Sequence, residues 1–569
     1  MICSISASRM KLIRCCATAG LPAARHAATS AARNEASAER TGRNVTDGER
    51  MNDPRMSGWT PQEAKLACPR NQSPVRRGAR ALAALLLVSL AGCGALGLGA
   101  KDDGPPGSLG SVRGFLGGAV ADEPRAALIA RDMLSAGGSA ADAAVAGAFA
   151  LVAGAPANVP LGGAGMCLVA TGSGRVRTVE MLPFPAVAAR PDSTVATPGL
   201  PRGLFALHAR YGRLRWEQVL SPAENLARIG APASRATSIE LARHWDVASA
   251  DPRLAALFGR EGRPIAEGTP FLQPPLAAVL GVLRQRGPGE LHSGAFGRQV
   301  VAAMRAAGLD LRIEDMAAGV PQFGPSFRVG EGVDLFVGAT PAIGALATGQ
   351  IYSALEARWR ATPPDARPAL LASTAAAASR DRQGWVGADL ANTQPLGEAM
   401  APARLQALAG AGGEWAAEPD VPAGAGIAVV DRNGMAVACS FTGYRPFGIG
   451  RMPEGVDMLF APAPDGAAAS PRWLAAAIGL RERRDVVFAG AASGGAAAPL
   501  ALAQTALDTL ADALPLDRAL AASRAVPPGT ADGIARVQAI VCRDGLVDAP
   551  QSCRVEADPR GAGLGIGTQ

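Results

Sequence analysis

Lysine is almost missing from this 569-residue chain, which has it only at positions 11, 65 and 101, and aromatic residues make up only 4% of it. The shortage of lysine rules out a Walker A phosphate loop, and no G-x-S-x-G elbow occurs. There is no C-x-x-C, and past Cys93 the three histidines His208, His244 and His292 never pair at metal-ligand spacing, so neither zinc nor thioredoxin chemistry has a foothold. The glycines at 162–165 follow a helical stretch and precede a strand, the wrong order for a dinucleotide fingerprint. No metal and no cofactor are expected. From Gln394 to Ala438 there is no serine, threonine or cysteine at all.

Basic charge is missing from most of the chain as well, despite a pI near 9.1. Residues 1–92 carry a net +8 against +7 for the whole chain, so the remainder is close to neutral at −1. The basicity is confined to the front, and a nucleic-acid partner is not expected.

What is present at the front has the order of an export signal. Residues 1–55 are polar and aperiodic, an unstructured extension or a mis-assigned start, and residues 56–92 contain Arg76, Arg77 and Arg80 followed by the apolar run Ala81–Leu90. A positive segment, a short apolar run and small residues describe a secretory signal. The run is too short to serve as a transmembrane anchor, which needs about 20 residues. Leu90-Ala91-Gly92-Cys93 resembles a bacterial lipobox, which implies a lipid on Cys93 and a place on the periplasmic face of the envelope. Gly94 after it favours the outer membrane. Residues 93–114, rich in Gly, Pro and Asp, form a linker.

The rest of the chain can bury a large core, with 48% hydrophobic residues. Pro124–Ala136 reads as a helix opened by its proline and ended by Gly137-Gly138, and Ala140–Val152 as a buried helix with almost no polar face. A strand is expected at Cys167–Thr171. Ile427–Val430, the turn Asp431-Arg432-Asn433-Gly434 and Met435–Phe441 make a hairpin. Cys542 and Cys553 flank another D-G turn. In an oxidising compartment they would form a disulfide, and otherwise they are two small buried hydrophobes.

The segments Gly137–Val145 (GGSAADAAV) and Leu161–Met166, then Thr197-Pro198-Gly199, Tyr211-Gly212 and Leu220–Ala223, resemble the ordered blocks of the gamma-glutamyltranspeptidases. Gly268–Leu276, Gly287–Gly294, Ile313–Met316, Val537–Ile540 and Asp558–Gly561 continue the likeness in one collinear order over about residues 115–563. The resemblance implies an α/β (α+β) fold, a four-layer αββα sandwich of the N-terminal-nucleophile hydrolase type. Residues 115–423 would correspond to a large subunit and 424–569 to a small subunit of the same domain. In active members the precursor cuts itself, and the new N-terminal threonine attacks a gamma-glutamyl amide such as glutathione's. A small peptide or amino-acid-like ligand is the implied partner, besides the membrane.

That chemistry needs a nucleophile, a base and oxyanion donors, and here the pattern departs from the family. Aligning on Val429-Val430-Asp431 places Gly424, Ala425 and Gly426 over the Thr-Thr-His motif. No hydroxyl is available even after a slip of one or two residues, so self-cleavage by the family's route is excluded. The family's carboxylate-binding arginine falls at Val179, with Arg177 two residues away, its asparagine at Tyr444, and its paired serines at Ala467-Ala468 ahead of Ser470-Pro471. Ser493-Gly494-Gly495 survives. Gly494 and Gly495 match the family's oxyanion-type donors, although two glycines equally mark a tight backbone approach. Losing a nucleophile alone costs on the order of 10⁶ in turnover. The expectation is a pseudoenzyme of the envelope. Two alternatives stay open: an amide hydrolase with a relocated nucleophile at Ser440, Thr442 or Ser493, and a binding or scaffold protein on the same or an unrelated fold.

Overall fold

The computed structural model of this protein describes residues 115–182, 195–339, 343–383, 396–415, 423–463, 473–527 and 534–568. Cys93, the linker 93–114, Ala467-Ala468 and Ser470-Pro471 lie outside the described residues. No helix among the described residues is long and apolar enough to cross a membrane.

Twelve strands carry the architecture: β1 (Gly117–Ala121), β2 (Ala164–Ala170), β3 (Val176–Met181), β4 (Gln322–Val329), β5 (Asp334–Gly338), β6 (Ala425–Asp431), β7 (Ala436–Thr442), β8 (Ala475–Arg481), β9 (Asp485–Ser493), β10 (Arg536–Cys542), β11 (Cys553–Ala557) and β12 (Leu564–Thr568). Their hydrogen-bonded order is β11-β10-β9-β8-β5-β4-β3-β2-β7-β6-β1-β12. The ladder folds over at β4, which pairs with β3 through residues 322–325 and with β5 through residues 326–329. Two sheets result, and they stack face to face, β6 and β7 lying on β9 and β2 on β8.

Helices cover both outer faces. On the first sheet lie α1 (Pro124–Ser135), α2 (Ala140–Gly154) and α3 (Leu200–Tyr211); α4 (Trp216–Ile229) packs on α2, α5 (Arg235–Arg243) follows it in the chain, and α6 (Pro274–Arg286) packs on α4. On the second lie α7 (Ile343–Trp359) and α9 (Ala498–Ala506), with α8 (Arg367–Gln383) against α7. This is the αββα sandwich.

Side-chain alternation along β6 shows how a strand serves two cores at once. Ile427 and Val429 join α2 in the cluster under the first helical layer, while Ala428 and Val430 join the cluster between the sheets. α2 is buried along its whole length, as its sequence requires. β6 begins two residues earlier than its apolar run suggests, because Phe441 and Ser440 of β7 offer ladder partners to Ala425 and Gly426.

The described cysteines are paired. Cys542 and Cys553 face each other across β10 and β11 and are bonded. Cys167 on β2 and Cys439 on β7 form a second disulfide, fully buried under the helical layer.

Candidate functional site

Gly424 stands one residue before β6, at the end of the strand that faces the second sheet. A Cβ added there would meet the Phe441 carbonyl oxygen at 2.8 Å and the Ser493 Cβ at 3.9 Å. The first contact is with backbone, so the position as folded has no room for a side chain. Ala425 turns toward the helical layer and is fully buried. Gly426 lies against Ala491 of the second sheet. No member of the Gly424–Gly426 triplet carries a reactive group.

The hydroxyls nearest this end are all committed. Thr442 Oγ1 donates to the Ala423 carbonyl at 2.8 Å, and Ser440 Oγ to the Ala492 carbonyl at 2.9 Å. Ser493 Oγ donates to Asp122 Oδ2 at 3.0 Å. Ser440, Thr442 and Ser493 are each at most 3% exposed.

Asp122, just past the end of β1, is the hub of a buried ionic network. Its Oδ2 also accepts the Gly426 N–H at 2.7 Å, while its Oδ1 takes the Gln538 amide at 3.0 Å and lies 2.9 Å from Arg536 Nε. Arg536 Nη1 in turn donates to Glu240 of α5 at 2.8 Å. Burial pushes the Asp122 carboxyl above its ordinary value, opposed by the Arg536 guanidinium and by the bonds from Gly426 and Ser493. Burial acts on Glu240 in the same direction, but Arg536 and Arg243 outweigh it and hold that carboxyl below its ordinary value. Four donors surround the two Asp122 oxygens, so both are already engaged within the network. The network joins β1, β6, β9, β10 and α5. It is a bolt across the layers rather than a general base.

Past Ser493 the chain reverses through Gly494 at φ 117° and Gly495 at φ 61°, both left-handed. A Cβ on Gly494 would approach the Ile534 carbonyl oxygen to 2.1 Å. Close packing therefore demands glycine at 494, whatever else the N–H groups do.

Register places Val179 opposite Cys167 and Arg177 opposite Val169, so the two share the face that looks toward the helices. Glu180 takes the other face, between the sheets, opposite Met166. Its carboxyl has no partner among the described residues, and burial pushes it up to about 8. Nothing in the sequence pattern singled out Glu180 or joined Asp122 to Arg536 and Gln538. No group of His, Cys, Asp and Glu among the described residues could hold a metal ion.

The sequence blocks that looked like signatures turn out to be joints. Ser139 and Asp142 form a capping box at the start of α2, and Asp142 Oδ2 also accepts the Arg213 and Leu214 N–H groups. Asp431 Oδ1 closes the hairpin turn through Asn433 and Met435, and its Oδ2 takes the Ala140 N–H at 2.9 Å. Asp558 binds Arg524, Arg560 and the Val537 N–H.

A family model described as gamma-glutamyltranspeptidase matches residues 126–461, more than half of the chain. The chain belongs to the gamma-glutamyltranspeptidase family. Among curated proteins it is 30% identical over 226 residues to a glutathione hydrolase proenzyme of Escherichia coli (strain K12), an alignment covering 36% of this chain and 39% of that protein. It is 32% identical over 218 residues to glutathione hydrolase 7 of Homo sapiens, covering 35% and 32%. The chain thus spans less than two-fifths of the length of these relatives. Among solved structures, a cephalosporin acylase from Bacillus halodurans superposes with a TM-score of 0.66 at 19% identity, covering 82% of this chain and 99% of that one. At that identity the likeness is one of fold.

Proposed function

We propose that this member of the gamma-glutamyltranspeptidase family neither cuts itself nor transfers gamma-glutamyl groups, and works as an exported, lipid-anchored envelope protein. The observation that carries the reading is Gly424: the nucleophile's position lacks a side chain, and a Cβ there would stand only 2.8 Å from the Phe441 carbonyl oxygen. Export is supported by the paired cysteines, since two buried disulfides suit an oxidising compartment. The lipid on Cys93 and the outer-membrane address rest on the sequence.

The rival reading, a relocated nucleophile, has one observation in its favour, the hydrogen bond from Ser493 to a carboxylate. Against it stand the other donors on Asp122 and the burial of Ser493. Turnover of a gamma-glutamyl or other amide substrate would restore it.

The test is a denaturing gel with intact mass on purified residues 94–569 after prolonged incubation. One uncut chain is expected. Two fragments divided between Ala423 and Gly424 would return the family's enzymatic activity to this protein.

A further inference from the structure

We infer that a groove between the outer face of β10–β11 and the chain at 514–517 binds a small zwitterion, its arginines taking an oxyanion and its carboxylates an ammonium. The groove faces away from the first sheet, and nothing about it depends on the reading of Gly424.

Register defines that outer face. Arg536 and Gln538 reach Asp122 on the side of the first sheet, so along β10 Val541 and Arg543 point the other way. Val541 pairs with Arg554 of β11 and Ala539 with Glu556, which puts Arg554 and Glu556 on the same outer face. A short helix, α10 (Leu516–Ala521), packs against both strands. Beside its start is a cavity of about 340 Å³, within the range of about 300–1,000 Å³ typical of small-molecule sites. Leu514, Leu516 and Val541 give it an apolar wall.

The charged groups around the cavity are not spent on one another. Arg543 and Arg554 line it together with Asp517, Asp544 and Glu556. Among the described residues neither guanidinium forms an ion pair with any of these carboxylates, and the ion pair of Asp517 is with exposed Arg518 at 3.9 Å. The arginines are fixed by main-chain carbonyls instead. Arg543 Nη2 donates to the Ala513 carbonyl at 2.6 Å, and Arg554 Nη1 to the Cys553 carbonyl at 3.1 Å. Each guanidinium has five N–H donors, so donors remain for a guest. Half-buried Glu556 is held above its ordinary value by burial and then by the charge of Asp517, against the pull of Arg554. A cation beside these two carboxylates relieves that repulsion.

Selectivity follows from the mixture of signs. A purely anionic guest meets the carboxylates, and a purely cationic guest meets the guanidiniums. A guest with both charges pairs with both sets at once. The guanidinium fork matches carboxylate and phosphate oxygens alike, so a free short peptide and a phosphoethanolamine headgroup share the required chemistry.

The experiment is calorimetric titration of the full mature chain at low salt, where exposed charges are least screened. The probes are alanyl-alanine and phosphoethanolamine. At least one is expected to bind, and the tighter of the two identifies the source of the oxyanion. The N-acetylated form of each probe lacks the ammonium; alanyl-alanine amide and ethanolamine lack the oxyanion. All four should bind at least about tenfold more weakly than the parent zwitterion. Arg554→Gln and Glu556→Gln should weaken the zwitterion by a similar factor, with thermal melting of the unliganded variants confirming that they fold. Arg543→Gln replaces a variant that does not fold. Failure of both zwitterions to bind overturns the site. So does equal binding of a form lacking either charge, or unchanged binding by the folded variants.

Discussion

Putting the family's hydroxyl back at position 424 should not restore chemistry. In Gly424→Thr the new Cβ would start 2.8 Å from the Phe441 carbonyl oxygen, a backbone atom in the β6–β7 ladder. It can move away only if the hairpin shifts or the pair opens. Overpacking of this kind typically costs about 1–3 kcal/mol. Gly424 lies just outside β6, so strand preference offsets little of this, and a net loss of about 1–3 kcal/mol is expected. In urea this reads as a lower midpoint with an unchanged slope. Intact mass after days of incubation should still show one chain, because Ala425, Gly426 and Val179 bring it no reactive group or cation. The reasoning fails if Gly424→Thr keeps the wild-type midpoint, which would mean that the backbone relaxes freely. It fails more deeply if the variant cuts itself before residue 424, since the site would then lack only its nucleophile.

Other consequences follow from the buried charges and the cysteines. Glu180 has a folded-state pKa of about 8 against an ordinary 4.5, raised by burial. The folded state therefore holds the proton more tightly, so stability is complete below about pH 4.5, falls as pH rises to about 8 and levels off above it. The loss reaches up to about 5 kcal/mol. Glu180→Gln should flatten this slope, and identical pH profiles for the two proteins would refute it. Asp122→Ala leaves Arg536 without its Asp122 partner and strips an acceptor from Gly426, Ser493 and Gln538. Breaking a buried ion pair by removing one partner costs about 3–5 kcal/mol, and a midpoint shift below 1 kcal/mol would show the bolt to be ornamental. The Cys167–Cys439 bridge spans 272 residues of sequence, for which the chain-entropy account gives about 5 kcal/mol. Cys439→Ala should lose most of that, measured by chemical denaturation under non-reducing conditions.

What could be read from the sequence was local in origin. The β6–β7 hairpin showed itself through Asp431-Arg432-Asn433-Gly434, and α1 and α2 through proline, glycine and apolar spacing. The emptiness of position 424 was equally visible, because absent side chains need no geometry. The bolt was not visible: Asp122 and Arg536 lie more than four hundred residues apart, and nothing near either one signals a partner. Cys167 and Cys439 sat unremarked inside two strands, and only the register of β2 against β7 sets them face to face. The folding-over at β4 is likewise a property of the whole sheet. Gly494 could be identified as a tight approach or as an oxyanion donor, and the Ile534 carbonyl beside it makes packing a sufficient reason for glycine.

On the proposed non-catalytic reading, family likeness and a bare position 424 coexist because different atoms carry them. The blocks that place the chain in the family are joints: Ser139 and Asp142 cap α2, Asp431 ties the hairpin to the same helix start, and Asp558 holds the closing strands. Each satisfies buried backbone donors that would otherwise cost about 1–3 kcal/mol, so the fold itself depends on them. The nucleophile has no such role. β6 keeps both ladder neighbours and its place against β9 with glycine at 424, so losing that side chain leaves the sandwich intact. With glycine at 424, the groups that border the place of a Cβ are the Phe441 carbonyl and the Ser493 side chain. Restoring activity would therefore take more than a threonine. On this reading it would also require the hairpin to shift, since a Cβ at 424 stands 2.8 Å from the Phe441 carbonyl oxygen.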